Sequence, residues 1–312
     1  MIRKLESSDV PELVEKWNRS LIHDPITEEK FRYAVLEDPN CEAAGNLVAV
    51  DQGGITGFVS AVVREGIKGR DGRGRPEEKD DGYIKAIFVD EGRADHDEIG
   101  RELIEAAEGY IKSKGKRVVK VVLYTGRYLF PGVDLRYERL LRLFEAMGYR
   151  RIATIDDLAV DLRSYAPTEY QLEAKRRAER LGVRVEGYRP EMLDAMRRFV
   201  EKLNMPHWFP EGWEQRYAEE RGNTLVALKG GEIVGWANFG TGEGRGWFGP
   251  IAVLEEYRGN GIGSWLLMES CLRMKEAGAP MAIASWAATG FYLKNGWHIH
   301  RQYAAFRKEL GR

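Results

Sequence analysis

The residues best suited to chemistry are a run near the C-terminal end, Arg258-Gly259-Asn260-Gly261-Ile262-Gly263. The run follows an apolar stretch, Ile251-Ala252-Val253, and opens a helical pattern that reaches Glu276. Glycines remove side chains, so successive backbone N–H groups can converge on one anion, and a helix start adds partial positive charge. Arg258 places a full charge beside them. Such a turn is built to cradle a diphosphate. A P-loop would need Gly-Lys followed by Ser or Thr, but Gly263 is followed by Ser264-Trp265. A dinucleotide fingerprint would need glycine at position 264 and an acid closing the next strand, and Met281 to Ser285 has none. Both nucleotide readings fail on named residues.

Downstream, the helix Gly263 to Ala277 leads to a strand, Met281 to Ser285, and then to Phe291-Tyr292-Leu293-Lys294-Asn295-Gly296-Trp297. Together the two runs resemble the GNAT superfamily of N-acetyltransferases. Arg258, Gly261 and Gly263 fill the fixed places of its motif (Q/R)-x-x-G-x-(G/A), and Phe291 to Trp297 fit F-Y-x-x-x-G-(F/W). The resemblance implies acetyl transfer from acetyl-CoA to a primary amine by direct attack. It implies that Ile251, Ala252 and Val253 pair with the pantetheine arm as an added strand would. Arg258, Gly259, Asn260, Gly261, Ile262, Gly263 and Ser264 would hold the diphosphate, and Tyr292 would protonate the departing thiolate. Ser285 stands where many relatives carry an asparagine. A small-molecule acceptor is the leading expectation. The alternatives are a non-catalytic acyl-CoA sensor and an N-acetyltransferase of proteins or peptides.

No general base emerges. Glu255 and Glu256 follow the strand but read as a solvated turn, and His207 sits in the loop Met205 to Pro210. His298 and His300 share one strand face, which falls short of a metal ligand set, so no metal is expected. Trp208, Trp213 and Trp286 are the tryptophans expected to line an acceptor cleft, and the others read as core.

The elements that position these groups come from a duplicated chain. Leu47 to Phe58 recurs as Leu225 to Trp236 at constant spacing, each copy a strand, a Gly-rich turn and a second strand. Each follows a helical stretch, Val10 to Asn18 or Pro190 to Leu203. The 312 residues suit two domains. We expect a GNAT-like domain over 1–165, a linker helix over 166–182 capped by Thr168 and Gln171, and a catalytic domain over 183–312. Each domain would be α/β, a mixed, mostly antiparallel twisted sheet flanked by helices. The N-terminal copy matches Ile87-Phe88-Val89 to Ile251-Ala252-Val253 and Ile99-Gly100 to Ile262-Gly263. That places Asp95-His96-Asp97-Glu98 in the cradle, where three carboxylates against Arg93 alone would repel phosphate, and Phe144 in place of Tyr292. This half reads as degenerate.

A net charge of -1 gives no reason to expect nucleic acid. The start Met1 to Glu6 lacks a signal peptide's apolar core, and no apolar run approaches the ~20 residues of a membrane span. Cys41 and Cys271 are too isolated for a disulfide framework. The composition suits a cytoplasmic protein with a homodimer as one option. Lys68 to Asp81 reads as a charged hairpin loop.

Overall fold

The computed structural model describes residues 1–64, 78–124, 126–205, 208–209, 212–218, 222–242 and 244–311. The charged loop expected from Lys68 lies outside them up to residue 77, and so does His207. Contacts divide the chain into two units, Met1–Ile155 with Tyr303–Arg312, and Asp156–Gln302.

Unit 1 runs β1 (Ile2–Lys4), α1 (Val10–Ser20), α2 (Glu28–Phe31), β2 (Asn46–Asp51), β3 (Gly54–Val63), β4 (Asp81–Val89), α3 (His96–Ser113), β5 (Val118–Val121), β6 (Val133–Asp134) and α4 (Glu138–Ala146). Strand β7 (Arg150–Asp161) begins in unit 1 and ends in unit 2. Unit 2 continues with α5 (Glu169–Arg180), β8 (Val183–Gly187), α6 (Leu193–Leu203), α7 (Trp213–Ala218), β9 (Thr224–Lys229), β10 (Glu232–Gly242), β11 (Arg245–Val253), α8 (Ile262–Glu276), β12 (Met281–Ala284) and α9 (Thr289–Lys294). Strand β13 (His298–Glu309) begins there and ends in unit 1.

The helices form where the sequence sets an apolar stripe at helical spacing. Val10, Leu13, Val14 and Trp17 give α1 one buried face, and Trp17 packs edge-on against Phe31 and Phe88. Helix α5 starts on the expected reciprocal cap. The Gln171 N–H donates to Thr168 Oγ1 (3.2 Å) and the Thr168 N–H to Gln171 Oε1 (3.0 Å).

Each unit carries a sheet of the same plan. In unit 1, β1, β2, β3 and β4 pair antiparallel in that order, β4 pairs β5 in parallel, and β5 pairs β13 antiparallel. In unit 2 the same sequence of pairings runs β8, β9, β10, β11, β12, with β7 closing the order. The duplication extends to the register. Ala49 pairs Gly57 and Val50 pairs Ile55 across a bulge, as Ala227 pairs Gly235 and Leu228 pairs Ile233. In unit 2 one core lies under α8, with Leu266, Leu267 and Cys271. A second lies under α6 and α7, with Phe199, Phe209 and Trp236.

The closing strands divide the chain elsewhere than the expected boundaries at 165 and 183. Phe306 pairs Val121 in unit 1 although it lies near the chain end, and Asp161 pairs Met281 in unit 2. The segment expected as a linker is also core. Gln171, Ala174 and Ala178 of α5 are buried within unit 2. Phe306 is fully buried and stacks on Phe144 at 5.6 Å between ring centroids. Phe306→Ala is therefore expected to destabilise unit 1 by ~3–5 kcal/mol, read as an earlier urea midpoint.

Candidate functional site

Strands β11 and β12 run parallel but pair only through Gly246↔Ala282 and Trp247↔Ile283. Beyond Trp247, β11 continues to Val253 bonded on its other side to β10. The Leu254 N–H donates to Val234 O (3.0 Å). Bonding alternates by two along an antiparallel pair, so Ala252 faces Trp236 of β10 through its amide and carbonyl. Ile251 and Val253 turn theirs toward the side that β12 has left. Of the three residues expected to meet an extended ligand, two therefore present their backbone to the opening.

The chain leaves β11 through a short 3-10 turn, Glu255–Tyr257, and reaches the glycine run. Glu255 and Glu256 are exposed there, as the solvated-turn reading requires. Gly259 (φ 78°) and Gly261 (φ 86°) both take the left-handed conformation that L side chains resist. Gly259 looks onto open space, so an anion can approach its backbone directly. Gly261 is needed twice over, because a Cβ there would sit 2.2 Å from the Ala174 carbonyl oxygen of α5. The first bond of α8 runs from the Trp265 N–H to Gly261 O (3.0 Å), so the amides just ahead of it lie outside the helical ladder. Arg258 Nε donates to Val253 O (3.2 Å), which holds the guanidinium between glycine run and splayed strand. Ile262 and Ser264 are buried, while Arg258, Gly259, Asn260, Gly261 and Gly263 are at least partly accessible. The residues present fit a diphosphate: bare backbone, an open approach, a helix start and a fixed cation.

Tyr292 of α9 is buried among Phe248 of β11 (6.1 Å between centroids), Phe291 (5.2 Å) and Trp297 (5.1 Å). Its hydroxyl makes no hydrogen bond with a described residue, and burial raises its pKa above the ordinary tyrosine value. Phe291 lies against Gly263, 3.4 Å from the place of a Cβ, which ties α9 to the start of α8. Ser285 is half-buried just past β12. Cys271 is buried in α8 and its thiol is pushed up to about 12 by burial, which makes it inert core rather than nucleophile.

The tryptophans sort differently from expectation. Trp208 and Trp213 pack into the aromatic core under α6 and α7, Trp213 edge-on to Phe209 at 5.4 Å. Trp286 is 45% exposed, and its φ of 57° is an outlier for a bulky residue. Trp247, expected in the core, is 39% exposed at the last position of β11 that pairs with β12, with Arg245 stacked on it at 4.7 Å. No group of His, Cys, Asp and Glu among the described residues could hold a metal ion.

Unit 1 repeats this geometry with its openings filled. The pair β3–β4 of unit 1 bulges near Lys85 of β4, and the pair β10–β11 of unit 2 bulges near Gly249 of β11. Gly249 carries nothing, whereas the Lys85 side chain is buried, donating to the Asp38 carboxylate and to Ala34 O. The Tyr124 hydroxyl donates to Asp38 Oδ1 (2.9 Å), and the ammonium lies 4.8 Å from the Tyr124 ring centroid. Sequence reasoning missed this cluster, although a lysine inside the apolar run Tyr83 to Phe88 was its signal.

In the copy of the cradle, two of the three carboxylates are paired. Asp95 is bound by Arg93 (2.8 Å). Asp97 is bound by His96 Nδ1 (2.9 Å) and by Arg139 of α4 (2.8 Å), which also donates to Arg93 O (3.3 Å). The Arg93 guanidinium holds the Asp95 carboxyl below the usual range, and His96 followed by Arg139 does so for Asp97. Two arginines thus pair Asp95 and Asp97 internally, where the sequence suggested one, and Glu98 stays exposed. In unit 2, Gly259→Ala should cost the left-handed penalty of ~1–2 kcal/mol. Gly261→Ala should cost more because of the Ala174 carbonyl, seen as the lower of the two Tm values.

The profile of the acetyltransferase (GNAT) family matches residues 189–297. No curated protein matches significantly. Among solved structures, the GCN5-related glucosamine N-acetyltransferase region of a fungal multi-domain GH3 β-N-acetylglucosaminidase is similar, with TM-score 0.78 at 19% identity. The match covers 99% of this chain and 38% of that one, so this chain spans well under half of that protein. A GCN5-related N-acetyltransferase from Sphaerobacter thermophilus has TM-score 0.69 at 19% identity, covering 99% and 95% of the two chains. A tandem GNAT protein from the clavulanic acid biosynthesis pathway has TM-score 0.65 at 16% identity, covering 100% and 99%. At these identities the likeness is one of fold. The chain therefore carries a GNAT-family acetyltransferase domain at residues 189–297, within a fold shared end to end with a tandem GNAT protein.

Proposed function

We propose that unit 2 is an acetyl-CoA-dependent N-acetyltransferase acting on the primary amine of a small molecule, and that unit 1 has no catalytic part in it. The observation that carries this reading is the early parting of β11 from β12, which turns the amides of Ile251 and Val253 into the gap directly ahead of the Arg258 to Gly263 turn. Acetyl-CoA supplies an activated acyl group and a diphosphate for that turn. The splayed strand aligns the extended arm through backbone bonds, and one of its amides stabilises the negative charge that develops on the carbonyl oxygen. The amine nitrogen forms the new C–N bond as the C–S bond breaks, and the amine proton leaves to solvent.

Tyr292 is the proposed general acid, giving its hydroxyl proton to the leaving thiolate. Burial keeps that hydroxyl protonated across the neutral range, and a thiolate of pKa ~8.5 calls for a proton only as the C–S bond breaks. Exposed Trp247 and Trp286 offer flat apolar faces near the point where the strands part. A sugar ring can stack on such faces, and the fungal structure's region is named a glucosamine N-acetyltransferase, so glucosamine heads the acceptor panel.

Steady-state assays with acetyl-CoA and a panel of amines test the reading on the full chain. Tyr292→Phe is expected to lower kcat by about 10²-fold or more at unchanged acetyl-CoA affinity, and an undiminished rate removes Tyr292 as the acid. The kcat profile should show no alkaline limb from Tyr292 between pH 7 and ~10, since its pKa lies above that of a free tyrosine. Tight binding of acetyl-CoA without turnover of any amine would favour a sensor.

A further inference from the structure

Helix α5 lies outside the segment that matches the family, yet it is packed along α8. Two contacts fix its direction. Lys275, in the last turn of α8, donates to Tyr165 O (2.8 Å) just ahead of α5. At the other end the Ala174 backbone fills the space beside Gly261, immediately before α8 begins. The two helices therefore run antiparallel, and α5 reaches the level of the glycine turn at Ala174. The residues from Lys175 to Arg180 continue beyond it, since six further residues rise ~9 Å.

That overhanging turn is basic: Lys175, Arg176, Arg177 and Arg180. Arg176 is spent on Glu169 and Glu173, and Arg180 on Glu173 (3.1 Å). Arg177 follows Ala174 at the i,i+3 spacing that puts two residues on one helix face. It is half-buried and makes no ion pair or hydrogen bond with a described residue. Lys175 lies over the Trp265 ring of α8, 5.4 Å from its centroid, with only a long contact to Glu179 (3.8 Å). Two cations thus flank the glycine turn without strong partners of their own.

We propose that Arg177 and Lys175 bind the ribose 3′-phosphate of the CoA carrier, so that α5 makes the site selective for 3′-phosphorylated carriers. This rests on the cofactor reading given above. A diphosphate seated on the turn leaves the third phosphate of CoA outside it, and a phosphate dianion is the group that two weakly partnered cations beside a diphosphate site suit best. The last turn of α5 would also favour basic residues through its own dipole. That effect bears on stability and not on which carrier binds.

Calorimetry on the full chain separates these possibilities, with acetyl-CoA and 3′-dephospho-acetyl-CoA as probes. The wild-type protein should bind acetyl-CoA at least about tenfold more tightly, a difference of ~1.4 kcal/mol. The K175A/R177A variant should bring the two affinities within about twofold by weakening acetyl-CoA alone, at an unchanged Tm. Equal affinities in the wild-type protein, or a variant that keeps the full preference, would overturn the proposal and leave the cofactor reading standing. A variant that loses Tm but keeps the preference assigns the two residues to the helix dipole and overturns it as well. If neither carrier binds the wild-type protein, the cofactor reading fails and this inference goes with it.

Discussion

Parallel strands β11 and β12 share two residue pairs and then part, and the chemistry available to unit 2 depends on that parting. A strand bonded on both sides has no amide to offer a ligand. A strand abandoned on one side offers every second amide, and β10 keeps the other half occupied. The same separation delivers the chain to the glycine turn, because β11 runs on to Val253 only a few residues ahead of Arg258. Arg258 then bonds back to Val253 O and holds turn and strand together. Gly235 contributes from the sheet. A Cβ on it would lie 3.0 Å from Ile262, so the missing side chain lets the first turn of α8 settle close to β10.

Unit 1 shows what the same frame becomes when the openings are filled. Gly57 receives Ile99 and Leu103 of α3 much as Gly235 receives Ile262 and Leu266 of α8. The sheet and its bulges are kept, and so is the seat of the helix. The bulge carries Lys85 in place of Gly249, and the lysine's charge is met by Asp38 in a buried site where an unpaired charge would be costly. At the copy of the cradle, Arg139 of α4 binds Asp97 and a loop carbonyl. A carboxylate-rich turn looks repulsive in sequence because the partner arginine comes from a distant element. Folded, two of its carboxylates are held in ion pairs, Asp95 by Arg93 and Asp97 by Arg139.

The same distinction explains what the sequence made legible. The hairpin repeat, the Thr168 cap and the glycine turn are local patterns, and each depends on residues a few positions apart. Gly261 was readable as part of a bare-backbone turn, but not as the place where Ala174 packs, since that contact joins α5 to the start of α8. Trp247 and Trp208 could not be told apart by type. One sits in β11 at the last position paired with β12, and the other joins the core under α6 and α7. Lys85 was visible as a charge inside an apolar strand, yet its meaning depended on Asp38 and Tyr124, both remote in sequence.

The domain boundaries were the least legible feature, and the reason is physical. A hydrophobic strand such as Tyr303 to Phe306 specifies a buried sheet position but not which sheet supplies it. In this chain it belongs with Val121 and Val133 of unit 1, while Leu158 to Asp161 belong with β12 of unit 2. Cutting at residue 165 would leave unit 1 without Ala304, Ala305 and Phe306, all fully buried. Cutting at 183 would strip Leu158, Val160 and Ala178 from the core under α8. Neither cut would release an intact unit. A failure of either half to bind acetyl-CoA would then report a broken sheet rather than an inert site. The part that unit 1 plays is better tested inside the intact chain, where Arg139 and Lys85 can be altered while both closing strands stay in place.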